Sequence, residues 1–374
     1  MRLIGQNSCS EYSTKSKIWH GEAYELVNLD FTPKFDLKKI AKRPFNLWRY
    51  REAIPIEEEA QIVSFDEGGT PLLPIQFKDG TKALIKQEYL FPSGSYKDRG
   101  SSVLITQAKF LGIQHLVQDS SGNAGASIAT YAQKAKIPCD IYVPADTSVA
   151  KTTQIAAMGA QIIKVAGNRK ETAAMAFEAA KKSYYASHCF NPYFFHGTKT
   201  IAYEICEQLN WKSPDSIVLP AGNGTLILGA YIGFKELAEL GIISKIPKII
   251  GIQSRHCNPL FKLLHNPSFD LTKYVAEDTL AEGIAIPNPI RAKEMMTAIT
   301  ETKGNILQVS ESEIKEAWKE MASLGFFIEP TSAACIAGLN QYLNGLVQPE
   351  ICVSLFSGNG LKSIEKISKI LNIY

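Results

Sequence analysis

The chain has no C-x-x-C pair, no block of basic residues, no apolar run of membrane-spanning length and no low-complexity segment. Each absence removes a class of protein. Its seven cysteines (Cys9, Cys139, Cys189, Cys206, Cys257, Cys335 and Cys352) are scattered. Without paired spacing there is neither a zinc ribbon nor a disulfide framework, and no metal site is expected. The cysteines read as reduced, mostly core residues of a cytosolic protein, which predicts a cytoplasmic location. Lys+Arg 40 against Asp+Glu 37 leaves a net charge of only +3, so nucleic acid is not an expected partner. Residues 1–30 lack the charged start, apolar middle and small-residue site of a secretory signal, and no membrane partner is expected. Two nucleotide signatures are missing as well. After Gly222 and Gly224, the third glycine of a dinucleotide fingerprint would fall at 227, where Ile227 stands, and no G-K-[ST] ending occurs.

What is present is a chain of 374 residues, 45% apolar and 21% charged, enough for two domains and a large core. The first 65 residues are the least informative. Segments 37–41 and 57–62 are candidate short helices, and 45–50 is an aromatic patch. Glu67-Gly68-Gly69-Thr70-Pro71-Leu72 is a turn into a strand. From Gly100 to about Phe195 strands (115–119, 140–144, 161–165) alternate with helices (101–111, 126–136, 151–158, 169–183). A second block, after a boundary near residue 200, alternates strands 216–220, 248–253 and 351–356 with helices 200–209, 226–240 and 312–324. Strands and helices alternating at this length indicate βαβ units, hence an α/β protein with two parallel sheets flanked by helices.

Chemistry collects at the turns, because loops at the carboxyl ends of parallel strands are where such proteins hold ligands. Pro92-Ser93-Gly94-Ser95-Tyr96-Lys97-Asp98-Arg99-Gly100 breaks a strand (83–88) and leaves Lys97 at a helix start. That setting suits the nucleophilic amine of a Schiff-base lysine, although most lysines near helix starts are solvated surface groups. Gly222-Asn223-Gly224-Thr225 would offer backbone N–H groups and a helix dipole to a phosphate, or be an ordinary strand–turn–helix connection. Ser121-Gly122-Asn123-Ala124-Gly125 and Ser357-Gly358-Asn359-Gly360 end strands with an amide and a hydroxyl, and helix capping would explain either turn alone.

Taken together, in this order and at these separations, the turns resemble those of the fold-type II pyridoxal-phosphate (PLP) enzymes, and within them the threonine synthase branch. The likeness runs from about Trp48 to about Lys362 and includes Asn191-Pro192, Gly197-Thr198-Lys199-Thr200, Glu282-Gly283-Ile284 and Glu329-Pro330-Thr331-Ser332. It implies a fold like that of the tryptophan synthase β-subunit. The expected division is a large PLP-binding domain from residues 66–100 and 200–374, and a small mobile domain from 101–199. Residues 1–65 are expected to pack on the large one. The resemblance implies that Lys97 forms the Schiff base and shuttles protons at the substrate's Cα and Cβ, that Asn123 meets the cofactor's phenolic oxygen and that Gly222, Asn223, Gly224 and Thr225 hold its phosphate. It puts Ser357 at the pyridine nitrogen, where a hydroxyl leaves that nitrogen largely unprotonated and suits elimination and replacement chemistry. Glu329 is read as structural.

The substrate side departs from the pattern. Where the family carries Asn-Ser and an arginine around the Asn-Pro element, and a threonine after the turn asparagine, this chain has His188-Cys189, Phe194 and Ala124. A phosphate dianion needs charge-assisted donors, and phenylalanine supplies none. Ser121, Ala124 and His188 are the candidate substrate residues, with Lys151 or Arg291 as cations that could reach in. His188 and Cys189 are each also readable as packing residues. The expected activity is the threonine synthase type, O-phospho-L-homoserine and water giving L-threonine and phosphate. A threonine or serine dehydratase, another elimination or replacement enzyme, and a PLP-binding protein without turnover are the alternatives. The expected partners are a small amino-acid substrate and a second copy of the chain in a homodimer.

Overall fold

The computed structural model describes residues 1–373. In chain order it opens with β1 (Arg2–Gly5), β2 (Glu11–Tyr12), β3 (Val27–Asp30) and α1 (Leu37–Ala41), then β4 (Leu72–Gln76) and β5 (Lys82–Lys86). The first alternating block is α2 (Lys97–Phe110), β6 (Leu116–Gln118), α3 (Asn123–Ala135), β7 (Cys139–Pro144), α4 (Val149–Ala157), β8 (Gln161–Val165), α5 (Arg169–Ala180), β9 (Tyr184–Tyr185) and α6 (Pro192–Thr198). The second is α7 (Thr200–Gln208), β10 (Ser216–Pro220), α8 (Thr225–Glu239), β11 (Lys248–Ser254), α9 (Pro259–His265), α10 (Ala292–Glu301), β12 (Asn305–Val309), α11 (Glu311–Ser323), α12 (Pro330–Asn344), β13 (Cys352–Leu355) and α13 (Ile364–Leu371).

These elements form two units, one of residues 1–69 and 97–200, the other of 70–96 and 201–374. In the first, the parallel sheet runs β8-β7-β6-β9, and a separate antiparallel sheet, β2-β1-β3, carries the N-terminal residues. In the second, six strands run β12-β11-β10-β13-β5-β4, parallel except for the edge pair β4–β5. The buried runs Ser216–Pro220 and Cys352–Leu355 are near-continuously apolar because a parallel sheet is covered on both faces.

The N-terminal segment groups with residues 97–200, not with the larger unit as expected. Leu3, Trp19, Val27, Leu47 and Trp48 enter the same core as Val103, Leu104 and Ile128. Glu67 locks the arrangement: it accepts from Trp48 Nε1 at 3.1 Å, from the Tyr131 hydroxyl at 2.9 Å and from Phe65 N at 2.7 Å. Residues 57–62 do not form the expected helix. The Arg51 guanidinium binds the carbonyls of Ile56 and Glu57, and the chain makes only a single turn at 58–59, closed by Ala60 N donating to the Glu57 carbonyl at 3.1 Å.

Candidate active site

Helix α2 begins four residues earlier than the expected 101, with Lys97 as its first residue. The lysine is 9% exposed, and the rest of its turn (Asp98, Arg99, Gly100) is buried. A run of polar residues tolerates burial only when paired. Here Asp98 accepts from Ser127 Oγ of α3 at 2.6 Å, and Arg99 donates to Thr200 Oγ1 at 3.1 Å. Asn123 likewise opens α3 instead of sitting in the turn, so Lys97 and Asn123 start two helices that pack on each other.

His188 follows β9, the strand beside β6, and so leaves the same sheet edge as the 119–123 turn. It is buried, with its ring centroid 5.9 Å from that of Phe194, and the Lys97 ammonium lies 5.7 Å from the same phenylalanine ring. Burial first, then Lys97 and Arg169, push the imidazole well below the ordinary histidine range, so it is neutral at physiological pH. A neutral imidazole does not replace the missing arginine as a dianion's counter-charge. Ala124 and Cys189 are buried, and Ser121 is half-buried at the turn. Of the distant cations suggested by sequence, Arg291 is buried and pairs with Glu294 at 2.5 Å in the other unit, while Lys151 stands in the third position of α4.

In the larger unit, strands β5, β13 and β10 are parallel neighbours. Their carboxyl ends therefore set three loops side by side: the one reaching Tyr96, the one at Ser357–Gly360, and Ala221–Thr225. Gly224 takes φ +84° as N-cap of the 15-residue helix α8, a conformation that only glycine adopts without strain. A Cβ on Gly222 would stand 2.8 Å from the Gly283 carbonyl, and one on Gly224 2.6 Å from Met295 Sδ. The turn is a cradle of bare backbone at a helix N-terminus, which is the arrangement an anion requires.

Ser357 is 1% exposed, and its hydroxyl donates to the buried Glu329 carboxylate at 2.7 Å. Ser332 Oγ lies 3.1 Å from Ser357 Oγ and accepts from Ser357 N at 2.8 Å. Glu329, expected to be structural, stands beside two residues to which the sequence assigned no role, Tyr96 and Ser95, around these turns. Glu329 holds the serine hydroxyl directly, Tyr96 OH lies 2.7 Å from Thr225 Oγ1, and Ser95 Oγ is buried without a hydrogen-bond partner among the described residues. Ser95 and Tyr96 belong to the segment after β5 and Glu329 is the N-cap of α12, and only the motif Glu-Pro-Thr-Ser could have flagged one of them.

The description of the matching family model is pyridoxal-phosphate dependent enzyme, and it covers residues 63–358. The chain is 38% identical over 338 residues to a threonine synthase of Methanocaldococcus jannaschii, covering 88% of this chain and 84% of that protein. It is 33% identical over 322 residues to one of Mycobacterium tuberculosis, covering 84% and 87%. Among solved structures, a fungal L-serine ammonia-lyase from Rhizomucor miehei superposes with a TM-score of 0.71 at 21% identity, covering 84% of this chain and all of that one. The processed form of threonine deaminase isoform 2 from Solanum lycopersicum gives 0.70 at 21% identity, covering 94% and 93%. The chain belongs to the pyridoxal-phosphate-dependent enzymes and has their fold type II architecture. Within that family it is a threonine synthase-like lyase that depends on PLP.

Proposed function

We propose that this enzyme converts O-phospho-L-homoserine and water to L-threonine and phosphate. Lys97 would carry PLP on its ε-nitrogen, Asn123 would meet the phenolic oxygen, and Gly222, Asn223, Gly224 and Thr225 would hold the phosphate. Ser357 would face the ring nitrogen. The single observation that carries the reading is the glycine cradle at the start of α8, whose neighbouring strand end leads through Tyr96 directly into Lys97. The buried, unpartnered Ser95 hydroxyl fits the same cofactor, since a buried donor without a partner is costly unless a ligand answers it.

Bound PLP supplies an electron sink for carbanion chemistry at the amino acid. The chain's own residues do the rest. Lys97 would take and return protons at the substrate's Cα and Cβ. Backbone N–H groups of 222–225 would hold the phosphate at the start of α8. Asn123 would offer its side-chain amide to the phenolic oxygen. The burial of Lys97 and His188 keeps bulk water from the proton being moved.

A second reading, elimination from an amino acid with an uncharged leaving group as in threonine or serine dehydratases, is favoured by one observation. The family's cationic position is Phe194, fully buried beside a neutral His188. Ser121, Ala124 and His188 would then shape the distal pocket for a smaller, uncharged group. A PLP-binding protein without turnover is the third outcome. We further assign the enzyme to the cytoplasm and to a homodimer. No helix among the described residues is long and apolar enough to cross a membrane.

The test is product analysis. Phosphate and threonine released in equal amounts from O-phospho-L-homoserine support the first reading. Keto acid from L-threonine or L-serine without that release moves the enzyme to the dehydratases. Turnover on none of these, with PLP bound, points to a different amino-acid substrate shaped by Ala124, His188 and Phe194, and absence of turnover on any amino acid leaves the non-catalytic reading. Lys97→Ala is expected to abolish both the visible absorption of the holoenzyme and all turnover, and retention of either sinks the assignment.

A further inference from the structure

Tyr96 touches both turns that the reading above gives to the cofactor in the larger unit, yet has no role in it. Its backbone N–H donates to the Ser357 carbonyl at 3.1 Å, and Ser95 forms a β-bridge with Gly358. Its hydroxyl reaches the other turn, 2.7 Å from Thr225 Oγ1, and the residue is only 8% exposed. The residue is a strut between the two turns, through its backbone to one and its hydroxyl to the other, and is joined by a peptide bond to Lys97.

We propose that Tyr96 is a positioning residue for the cofactor phosphate: its hydroxyl donates to Thr225 Oγ1 and turns the threonine proton toward the anion. The inference rests on the reading that Gly222–Thr225 hold that phosphate. Each of the two hydroxyls has one proton, so only one can donate across the 2.7 Å contact. A phosphate only accepts, and it takes the Thr225 proton. Tyr96 must then be the donor, because otherwise two oxygens would face each other with no proton between them. The phenol is the more acidic of the two hydroxyls, and its donated bond polarises the threonine O–H in the same direction. Phenylalanine would fill the same volume. The hydroxyl is therefore the feature that packing alone does not need.

The experiment titrates the apoproteins of wild type, Tyr96→Phe, Thr225→Val and the double variant with PLP, and in parallel with pyridoxal, which lacks the phosphate. Visible absorbance reports binding. Tyr96→Phe is expected to weaken PLP binding about tenfold, the scale of one charge-assisted relay, while pyridoxal binding stays within about twofold. The double variant should bind PLP no more weakly than Thr225→Val alone, because the tyrosine acts through the threonine. Wild-type-like PLP binding by Tyr96→Phe overturns the proposal. Equal losses for PLP and pyridoxal, which mark a packing role, overturn it as well, and so do losses that simply add. If Tyr96→Phe does not fold, Thr225→Ser and Thr225→Val decide: the serine variant should keep PLP affinity and the valine variant lose it, and equal affinities overturn the proposal. A wild-type protein that takes up no PLP removes the phosphate reading of the turn, and this inference with it.

Discussion

Gly100, in the first turn of α2, lies under the ring of Phe194: a Cβ built there would stand 2.4 Å from Phe194 Cδ1. Both residues are buried, Phe194 completely, and α6 packs along α2 at this point. Glycine is therefore required by close approach, since the backbone there is ordinary helix. Gly100→Ala should overpack the contact and destabilise the protein by about 1–3 kcal/mol, measured by denaturant unfolding. Because the clash is with one side chain, Phe194→Leu should restore part of the loss in the double variant, a coupling that independent sites do not show. Strict additivity of the two changes would mean that the backbone, and not the ring, sets the distance. The same contact explains why Phe194 is available to line the Lys97 side of the unit: it is held from below by a residue with no side chain.

Strand β5 carries a second buried lysine, and its setting is structural. Lys86 is fully buried and donates to Glu204 at 2.6 Å, to the Thr70 carbonyl at 2.6 Å and to Gln208 Oε1 at 2.7 Å. Glu204 also accepts from Thr70 N at 2.8 Å, so α7 is bolted to the β4–β5 edge through one ion pair. Lys86→Met would break this buried pair and remove the donor that Glu204, Thr70 and Gln208 share, and a loss of about 3–5 kcal/mol is expected in chemical denaturation. A loss under about 1 kcal/mol would mean that the pair is as solvent-screened as a surface one.

At this scale the sequence is informative where elements are long and regular. Strands 161–165 and 216–220 fall where alternation and apolar runs put them, and α3, α5 and α8 within a few residues. The N-terminal sheet is silent because its strands have four, two and four residues, too short for a period to register. Its turns are closed by a side chain, Glu25, which accepts from Asn7 N at 2.6 Å and Ser8 N at 3.0 Å. Helix α6 is hidden by Asn191-Pro192, which reads as a turn but is a cap followed by proline at the first helical position. The motif residues were legible one by one. What sequence could not supply is which side chains from other loops stand behind them, such as Glu329 behind Ser357 and Tyr96 against Thr225.

For the molecule as a whole, two buried imidazoles make stability depend on pH. His188 and His196 both belong to the unit of residues 1–69 and 97–200. Burial, with Lys97 and Arg169 adding to it, depresses His188, and burial with Lys199 depresses His196, in both cases well below the ordinary value. His196 Nδ1 has no hydrogen-bond partner among the described residues, so nothing in its surroundings rewards a proton there. In the unfolded chain each histidine titrates near about 6.5. Above that pH both states are neutral and the histidines do not tilt the balance. As pH falls below it the unfolded chain takes up two protons that the folded chain refuses, so stability is lost on acidification, by up to about 1.4 kcal/mol per pH unit for each histidine. The loss begins above the window in which Glu52, held near about 2 chiefly by Arg43, can contribute, since that carboxylate acts only below its unfolded value of about 4.3. Unfolding free energies measured by urea denaturation between pH 7 and pH 5 should therefore decline, and His196→Phe should make the decline shallower by about one proton. A flat profile over that range, or an unchanged slope in the variant, would show that these imidazoles are protonated in the folded protein. The wall beside Lys97 would then be cationic, and the neutral character assigned to His188 would fall with it.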